Sequence, residues 1–259
     1  TGFREQAERA LGHSIETISG REEARLIYLG VAHGLAIGDE RRLVIDIGGG
    51  STEVIVGEGF SPLLRESLQM GCVSLSRRFF DNDKITVKAM DRAELRGALE
   101  VRPVRELVRN TGWQTATGSS GTVKSIATVV KALGWCEEGI SAESLDRLRD
   151  LLIEQGRIST LAIKGLSEER RPVFVGGVPV LRALFKQLKI THMQVSDQAL
   201  REGLIYEMHG RVQHEDVRER TVATLCRRFD CDQAQRDRVR ETALHLAEQL
   251  AQVWQLHNP

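Results

Sequence analysis

The sequence predicts an α/β domain followed by the start of an all-helical one. Three observations carry this. A strand-like run, three consecutive glycines and a second strand-like run succeed one another across residues 43–57. Helix-like and strand-like segments then alternate as far as residue 209. Past Gly210 the pattern changes, and from His214 onward there is no glycine and no strand-like alternation.

Taken in order, residues 5–11 read as the end of a helix closed by Gly12. Residues 14–18 alternate like a short strand. Ser19 is placed to cap a helix starting near Arg21, with Ala24, Ile27, Tyr28 and Val31 at helical spacing. Residues 34–40 are a loop. Residues 43–47 form an apolar run broken by one Asp, then Gly48, Gly49, Gly50, Ser51 and Thr52 turn the chain into residues 53–57. This is a hairpin, not a strand-to-helix unit. Residues 63–68 form a third strand. Residues 74–80 and 90–108 are helical, with Arg and Glu alternating on the outer face of the second and Pro103 kinking or restarting it. A loop at 118–122 opens a helix over 123–133. Helices follow at 144–153 and 156–161, and another starts at Ser167 as N-cap. Gly176, Gly177 and Pro179 interrupt that helix before it resumes over 180–188. A short strand at 193–196 and a helix at 198–209 complete the domain. Residues 217–229 and 233–256 read as amphipathic helices.

The 259 residues carry 36 cations and 36 acids, so the formal net charge is zero, which disfavours a nucleic-acid binder. No stretch approaches the roughly 20 apolar residues of a membrane span. Cys72, Cys136, Cys226 and Cys231 are scattered without a CxxC pair, so no zinc site is expected, and they read as reduced thiols of a cytoplasmic protein. Of the 36 cations 29 are Arg, which alone is no argument for a phosphate ligand.

The chemistry concentrates in Asp46 to Glu53. Gly48, Gly49 and Gly50 permit unusual turn geometry and close backbone approach, and their amides with those of Ser51 and Thr52 can converge on an anion. Asp46 ends one strand and Glu53 begins the next, so both carboxylates can reach one site. Two hard oxygen ligands beside a phosphate cradle describe a Mg²⁺–phosphate site; the alternative is a glycine hairpin with two solvated acids. A dinucleotide fingerprint fails because Glu53 stands where Gly or Ala is required, and a P-loop fails at Val123. Gly118, Ser119, Ser120, Gly121 and Thr122 open a helix whose amides favour anions. Glu22 and Glu23 sit at another helix start, where acids complement the dipole or, near a phosphate, act as a general base. Arg201 reads as a structural ion-pair residue.

Together these segments resemble the exopolyphosphatase/guanosine-pentaphosphate phosphohydrolase family. The matching stretches are residues 18–28, 43–53, 70–74, 118–122, 165–170 and 199–203, in family order. The resemblance implies a ribonuclease-H-like α/β fold of the actin-like/sugar-kinase/Hsp70 superfamily. It implies that Gly48 to Thr52 are a phosphate loop and Asp46 and Glu53 the divalent-metal carboxylates. Glu23 is the implied catalytic base, with Glu22 as fallback, Gly118 to Thr122 are further phosphate-binding residues, and Ser119 to Thr122 close the far side of the cleft. The cofactor is Mg²⁺, and the substrate is inorganic polyphosphate, with guanosine pentaphosphate as the alternative; a non-catalytic polyphosphate- or alarmone-binding module is a third reading. The family's first phosphate loop, an Asp-Leu/Met-Gly-Ser-Asn pattern, is absent. The expected division is therefore a remnant of a first actin-like domain at 1–28, a second actin-like domain at 29–212 and the start of a helical His-Asp-type domain at 213–259, a fragment expected to be inactive by itself. A cytoplasmic location, a peripheral membrane association, a homodimer of the intact protein and no nucleic-acid partner are the remaining expectations.

Overall fold

The computed structural model describes residues 2–35, 40–212 and 232–251. Its elements run α1 (Gly2–Leu11), α2 (Gly20–Gly34), β1 (Arg41–Ile47), β2 (Thr52–Glu58), β3 (Ser61–Leu68), α3 (Cys72–Phe79), α4 (Val87–Thr111), β4 (Thr115–Ser119), α5 (Ser120–Ala132), β5 (Ile140–Ser141), α6 (Ala142–Gln155), α7 (Arg171–Leu188), β6 (His192–Val195), α8 (Leu200–Val212) and α9 (Gln233–Ala251). The chain divides into two compact units, 1–206 and 207–259, with the division inside α8. Helix α2 runs unbroken across residues 28 and 29 and packs on the same sheet as the elements that follow it.

Six strands form one sheet in the order β3-β2-β1-β4-β6-β5. The meander β1–β2–β3 is antiparallel, β1, β4 and β6 run parallel, and β5 closes the edge antiparallel to β6. Alternation along β1 assigns side chains to two faces. Leu43, Ile45 and Ile47 join Val54 and Val56 in the larger core, under α3 to α7. Val44 and Ile55 join Ala24, Ile27, Tyr28 and Val31 under α2. The central strands read as near-continuous apolar runs because both faces are covered.

Several expectations are corrected. Residues 14–18 are irregular, with the Ile15 amide bonded to the Glu8 carboxylate (2.9 Å); alternation alone makes no strand without a neighbour to pair. Residues 156–161 are not helical. Gly156 ends α6 at φ +73°, and the chain then pairs back on residues 83–85 through Ile85 N–Gly156 O (2.8 Å) and Ile158 N–Asp83 O (3.0 Å). Pro103 does not restart α4, which runs unbroken through it with Pro103 exposed. Ser167 does not cap α7; its carbonyl receives the amides of Arg170 and Arg171 in the turn before that helix. Gly176 and Gly177 do not interrupt α7. They let it press against α3 and α5: a Cβ on Gly176 would stand 2.4 Å from the Cys72 carbonyl, and one on Gly177 2.4 Å from Thr122 Cγ2. Burial of this helix outweighs the low helix propensity of two glycines and a proline. Cys72 is buried and Cys136 half-buried, both as free thiols; Cys226, Cys231 and the helix expected over 217–229 lie outside the described residues. Among the described residues no helix is long and apolar enough to cross a membrane.

Helices α2 and α8 cross backbone to backbone. A Cβ on Gly203 would stand 1.8 Å from the Leu26 carbonyl oxygen, and one on Gly30 2.1 Å from the Ala199 carbonyl oxygen. His33 stacks on Tyr206 beside the crossing, with centroids 3.8 Å apart. Neither carbonyl can yield without moving a helix. Gly203→Ala is therefore expected to cost about 1–3 kcal/mol, measured as a lower urea midpoint at unchanged m-value; an unchanged midpoint refutes the close crossing.

Candidate active site

The site begins with register. Asp46 and Glu53 are direct partners across the β1–β2 pair, so their side chains project from one face of the hairpin. That face is covered: Glu53 exposes 1 % of its surface and Asp46 8 %. Like charges in this position are expensive, and the structure answers with hydroxyls. Ser67 on β3 donates to Glu53 Oε1 (2.8 Å), and Ser119 at the end of β4 donates to Asp46 Oδ2. Ser119 occupies the N-cap position of α5 but gives its hydroxyl to Asp46 rather than to a helix amide. Burial pushes the Glu53 carboxyl up to about 7; the Ser67 hydroxyl pulls it back, the Glu23 carboxylate raises it, Ser51 lowers it and Asp46 raises it. Asp46 is raised by burial, relieved by Ser119, raised again by Glu23 and lowered by Lys124. Glu23, Asp46 and Glu53 thus share one electrostatic neighbourhood. Among the described residues no group of three or more His, Cys, Asp or Glu is arranged to hold a metal.

The glycine turn is pinned from outside. Gly48 N–H closes the hairpin on the Ser51 carbonyl (3.0 Å). Gly48 and Gly49 carbonyls accept the first amides of α3 from Cys72, Val73 and Ser74, each at 3.0 Å. None of Gly48, Gly49 and Gly50 has positive φ, so unusual dihedrals are not why glycine stands there. Gly49 lies against Val73, and Gly71 against Gly49 and Gly50, where a Cβ would clash at 2.5–2.6 Å. Gly50 faces open space, so nothing in the chain itself demands a glycine at that position. Thr52 is fully buried with its hydroxyl on the Met70 carbonyl (2.7 Å), which leaves that side chain to the fold.

The second loop stores an anomaly. Ser120, the first residue of α5, sits at φ +83°, a left-handed conformation that favours glycine, and its buried hydroxyl has no partner. Strain and an unpartnered buried hydroxyl thus fall on the same residue. The guanidinium of Arg170 lies over the next residue, its Nη2 2.0 Å from where a Cβ on Gly121 would stand. The Arg170 side chain has no ion pair or hydrogen bond among the described residues. Thr122 is buried against Gly177.

Glu23 is half-buried in the first turn of α2, which Ser19 caps. Its neighbour Glu22 is held by Arg25, with Nη2–Oε1 at 2.8 Å. Arg201 approaches Glu202 at 4.0 Å. Sequence reasoning missed Ser67, Lys124 and Arg170. Ser67 and Lys124 are ordinary residues made relevant by pairing and proximity alone. Lys124 is itself engaged by Asp197, at 3.2 Å to Oδ1 and 2.9 Å to the carbonyl. Arg170 falls in one of the matching stretches but carries no local signature.

A mixed sheet with helices on both faces, carrying a glycine hairpin with two buried carboxyls and a strained serine at a helix N-terminus, gives the chain an actin-like α/β fold. The profile of the Ppx/GppA phosphatase family matches residues 1–212, and the chain belongs to that family. It is 39 % identical over 254 residues to the guanosine-5'-triphosphate,3'-diphosphate pyrophosphatase of Photobacterium profundum, covering 98 % of this chain and 51 % of that protein. The chain thus spans about half the length of this curated relative. Its fold is similar to that of an exopolyphosphatase from Cytophaga hutchinsonii ATCC 33406, with TM-score 0.69 and 25 % identity over 80 % of this chain and 69 % of that one. It also resembles the Ppx-GppA enzyme of Aquifex aeolicus, with TM-score 0.65 and 24 % identity over 79 % and 69 % of the two chains.

The raised carboxyl of Glu53 has a sign that can be measured. A folded-state value near 7 against an ordinary 4.5 means that folding favours the protonated form. The contribution of Glu53 to stability is then fully present below pH 4.5 and is lost as pH rises through 7. Without divalent cations, Glu53→Gln is expected to be more stable than the parent at pH 8 and to lose most of that advantage at pH 4.5. Parallel melting-temperature profiles across this range would contradict it.

Proposed function

We propose that this chain is the water-activating and phosphate-holding part of a hydrolase that removes terminal phosphate groups from phosphate chains. The observation that carries the reading is the buried Asp46–Glu53 pair beside a glycine turn whose outermost residue, Gly50, faces open space. In this reading the amides of Gly48 to Thr52 and of Gly118 to Thr122 receive phosphate oxygens from two sides. The Ser120 hydroxyl and the Arg170 guanidinium supply further donors.

Glu23 is the group assigned to take a proton from water. It couples electrostatically to both carboxyls, whereas Glu22 is neutralised by Arg25, which supports Glu23 over Glu22. Asp46 and Glu53 suit Mg²⁺: two hard oxygen donors are a usual protein share for an ion that keeps waters and substrate phosphates as its other ligands, and their unfavourable ionisation is what a divalent charge would relieve. When bound there, Mg²⁺ would neutralise charge on the transferring phosphoryl group. Ser119 and Ser67 orient the two carboxyls, and Glu23 orients the attacking water.

Two substrates fit. The Photobacterium relative supports the 5′-phosphate of guanosine pentaphosphate. The Cytophaga exopolyphosphatase supports the end of an inorganic polyphosphate. The division into 1–28, 29–212 and 213–259 belongs to the same reading, with the catalytic cleft completed by a first domain. Free thiols at Cys72 and Cys136 suit a reducing, cytoplasmic setting.

The test uses the longer protein that contains this chain, assayed with each substrate with and without Mg²⁺. Glu23→Gln is expected to lower kcat by about 10²–10⁴-fold while leaving substrate binding intact, and Glu22→Gln to leave kcat near the parent value. Equal turnover in the Glu23 variant would refute the assignment. Transfer of phosphate to an added sugar or acid instead of water would replace hydrolysis with a kinase reading, and tight binding without turnover in the parent would make the protein a binding module.

A further inference from the structure

Helix α2, which carries Glu23, is seated on its neighbours through glycine gaps. Toward its C-terminal end it crosses α8 backbone to backbone at Gly30. In its middle Tyr28 lies on the hairpin. The Tyr28 hydroxyl donates to the Gly59 carbonyl (3.0 Å), and a Cβ on Gly57 would stand 2.3 Å from Tyr28 Cζ.

A further gap lies at the start of the helix. Gly20 is the first residue of α2, directly after the N-cap Ser19. Its φ is not positive, and glycine is a poor helix former, so neither backbone conformation nor propensity explains it. Space does. A Cβ on Gly20 would stand 2.6 Å from both the Cβ and the Oγ of Ser67 on β3. Ser67 is the residue whose hydroxyl donates to Glu53 Oε1 (2.8 Å).

Neither partner in this contact can simply yield. Ser67 pairs directly with Glu53 in the β2–β3 register, so its Cβ is fixed by the sheet. Turning its hydroxyl away would strip the buried Glu53 carboxyl of that donor. Helix α2 cannot slide as a whole, because Tyr28 and Gly30 hold it further along. A methyl group at position 20 therefore tilts the first turn. Glu23 belongs to that turn and shares a side of the helix with Gly20 at i, i+3 spacing. Its carboxylate raises both Asp46 and Glu53, so it lies within electrostatic reach of the pair. The Arg21–Glu66 ion pair (3.1 Å) also joins α2 to β3, but it is exposed on the Arg21 side and holds position only weakly.

We propose that Gly20 and Ser67 form a spacer that sets the separation between Glu23 and the Asp46–Glu53 pair, with Gly20 a positioning residue that acts through those carboxyl groups. This rests on the hydrolase reading, in which Glu23 takes a proton from water beside the pair. The amides assigned to phosphate, at 48–52 and 118–122, belong to other elements. A disturbance at Gly20 is therefore read as lost turnover and not as lost substrate binding.

The test is a double-mutant cycle in the longer protein that contains this chain, with kcat and KM measured on polyphosphate and on guanosine pentaphosphate and melting temperature as the folding control. Gly20→Ala is expected to lower kcat by about ten- to hundredfold with KM near the parent value, since a misplacement of about 1 Å can cost that much. Ser67→Gly removes both atoms the new methyl would meet. Adding Gly20→Ala to Ser67→Gly is therefore expected to cost less than about threefold more. Arg21→Ala should leave kcat near the parent value. Equal costs of Gly20→Ala in the two backgrounds overturn the spacer. So does an unchanged kcat in Gly20→Ala, or a matching loss in Arg21→Ala. If Gly20→Ala melts too low to assay, the same cycle is read in melting temperature: recovery on adding Ser67→Gly supports the contact, and no recovery overturns it. A parent that turns over neither substrate removes the hydrolase reading and the spacer together, whereas an active parent with additive variants removes the spacer alone.

Discussion

Everything at the site answers to one constraint: two carboxyl groups face each other on the covered side of an antiparallel hairpin. Coulomb repulsion and lost hydration both penalise their ionisation, and in a partly desolvated setting neither is screened well. A hairpin under no other demand would not place acids at positions 46 and 53. The surrounding structure reduces the penalty without abolishing it. Ser67 reaches Glu53 from the neighbouring antiparallel strand, and Ser119 reaches Asp46 from the neighbouring parallel one. Each carboxyl is held by a hydroxyl, which orients it and does not neutralise it. What remains is a local excess of negative charge whenever both carboxyls ionise, and both are raised accordingly.

The rest of the domain keeps that pair in place. The glycine turn hangs on the first amides of α3, and α3 is wedged against α7 at Gly176. Helix α7 is buried along nearly its whole length, so the turn is tied to the centre of the larger core. Strand β4 carries Ser119 and delivers Ser120 into a strained conformation as α5 begins. A buried anchor supporting a surface turn lets one loop stay unmet while the fold stays stable.

How much of this was legible beforehand follows physical lines. Hairpin β1–β2, the capped start of α2 and the helix after Gly118 were legible because periodicity, glycine and Ser19 are local signals. Asp46 and Glu53 stood out because acids inside an apolar strand pair need a reason. The interrupted reading of α7 erred because glycine and proline were taken as helix breakers, when here two glycines are gaps that another helix fills. The strand at residues 14–18 erred because alternation reports exposure, not pairing. Glycine at 48–50 was expected for its dihedral freedom and for close backbone approach; none of the three has positive φ, Gly48 and Gly49 lie in tight contacts, and Gly50 faces open space.

By itself the sequence singled out the candidate chemical residues and most of the helices and strands, since those depend on side-chain type and on spacing along the chain. Tertiary structure decided which of them meet. Glu23, Ser67, Lys124 and Arg170 are distant in sequence from Asp46 or Glu53, and neither propensity nor periodicity encodes distance across a fold. It also separated the environments of Glu22 and Glu23, because the salt bridge of Glu22 to Arg25 depends on rotamers and on what α2 packs against. The order of the sheet, with β4 beside β1, set Ser119 against Asp46. That adjacency follows from long-range strand pairing, which no local window contains.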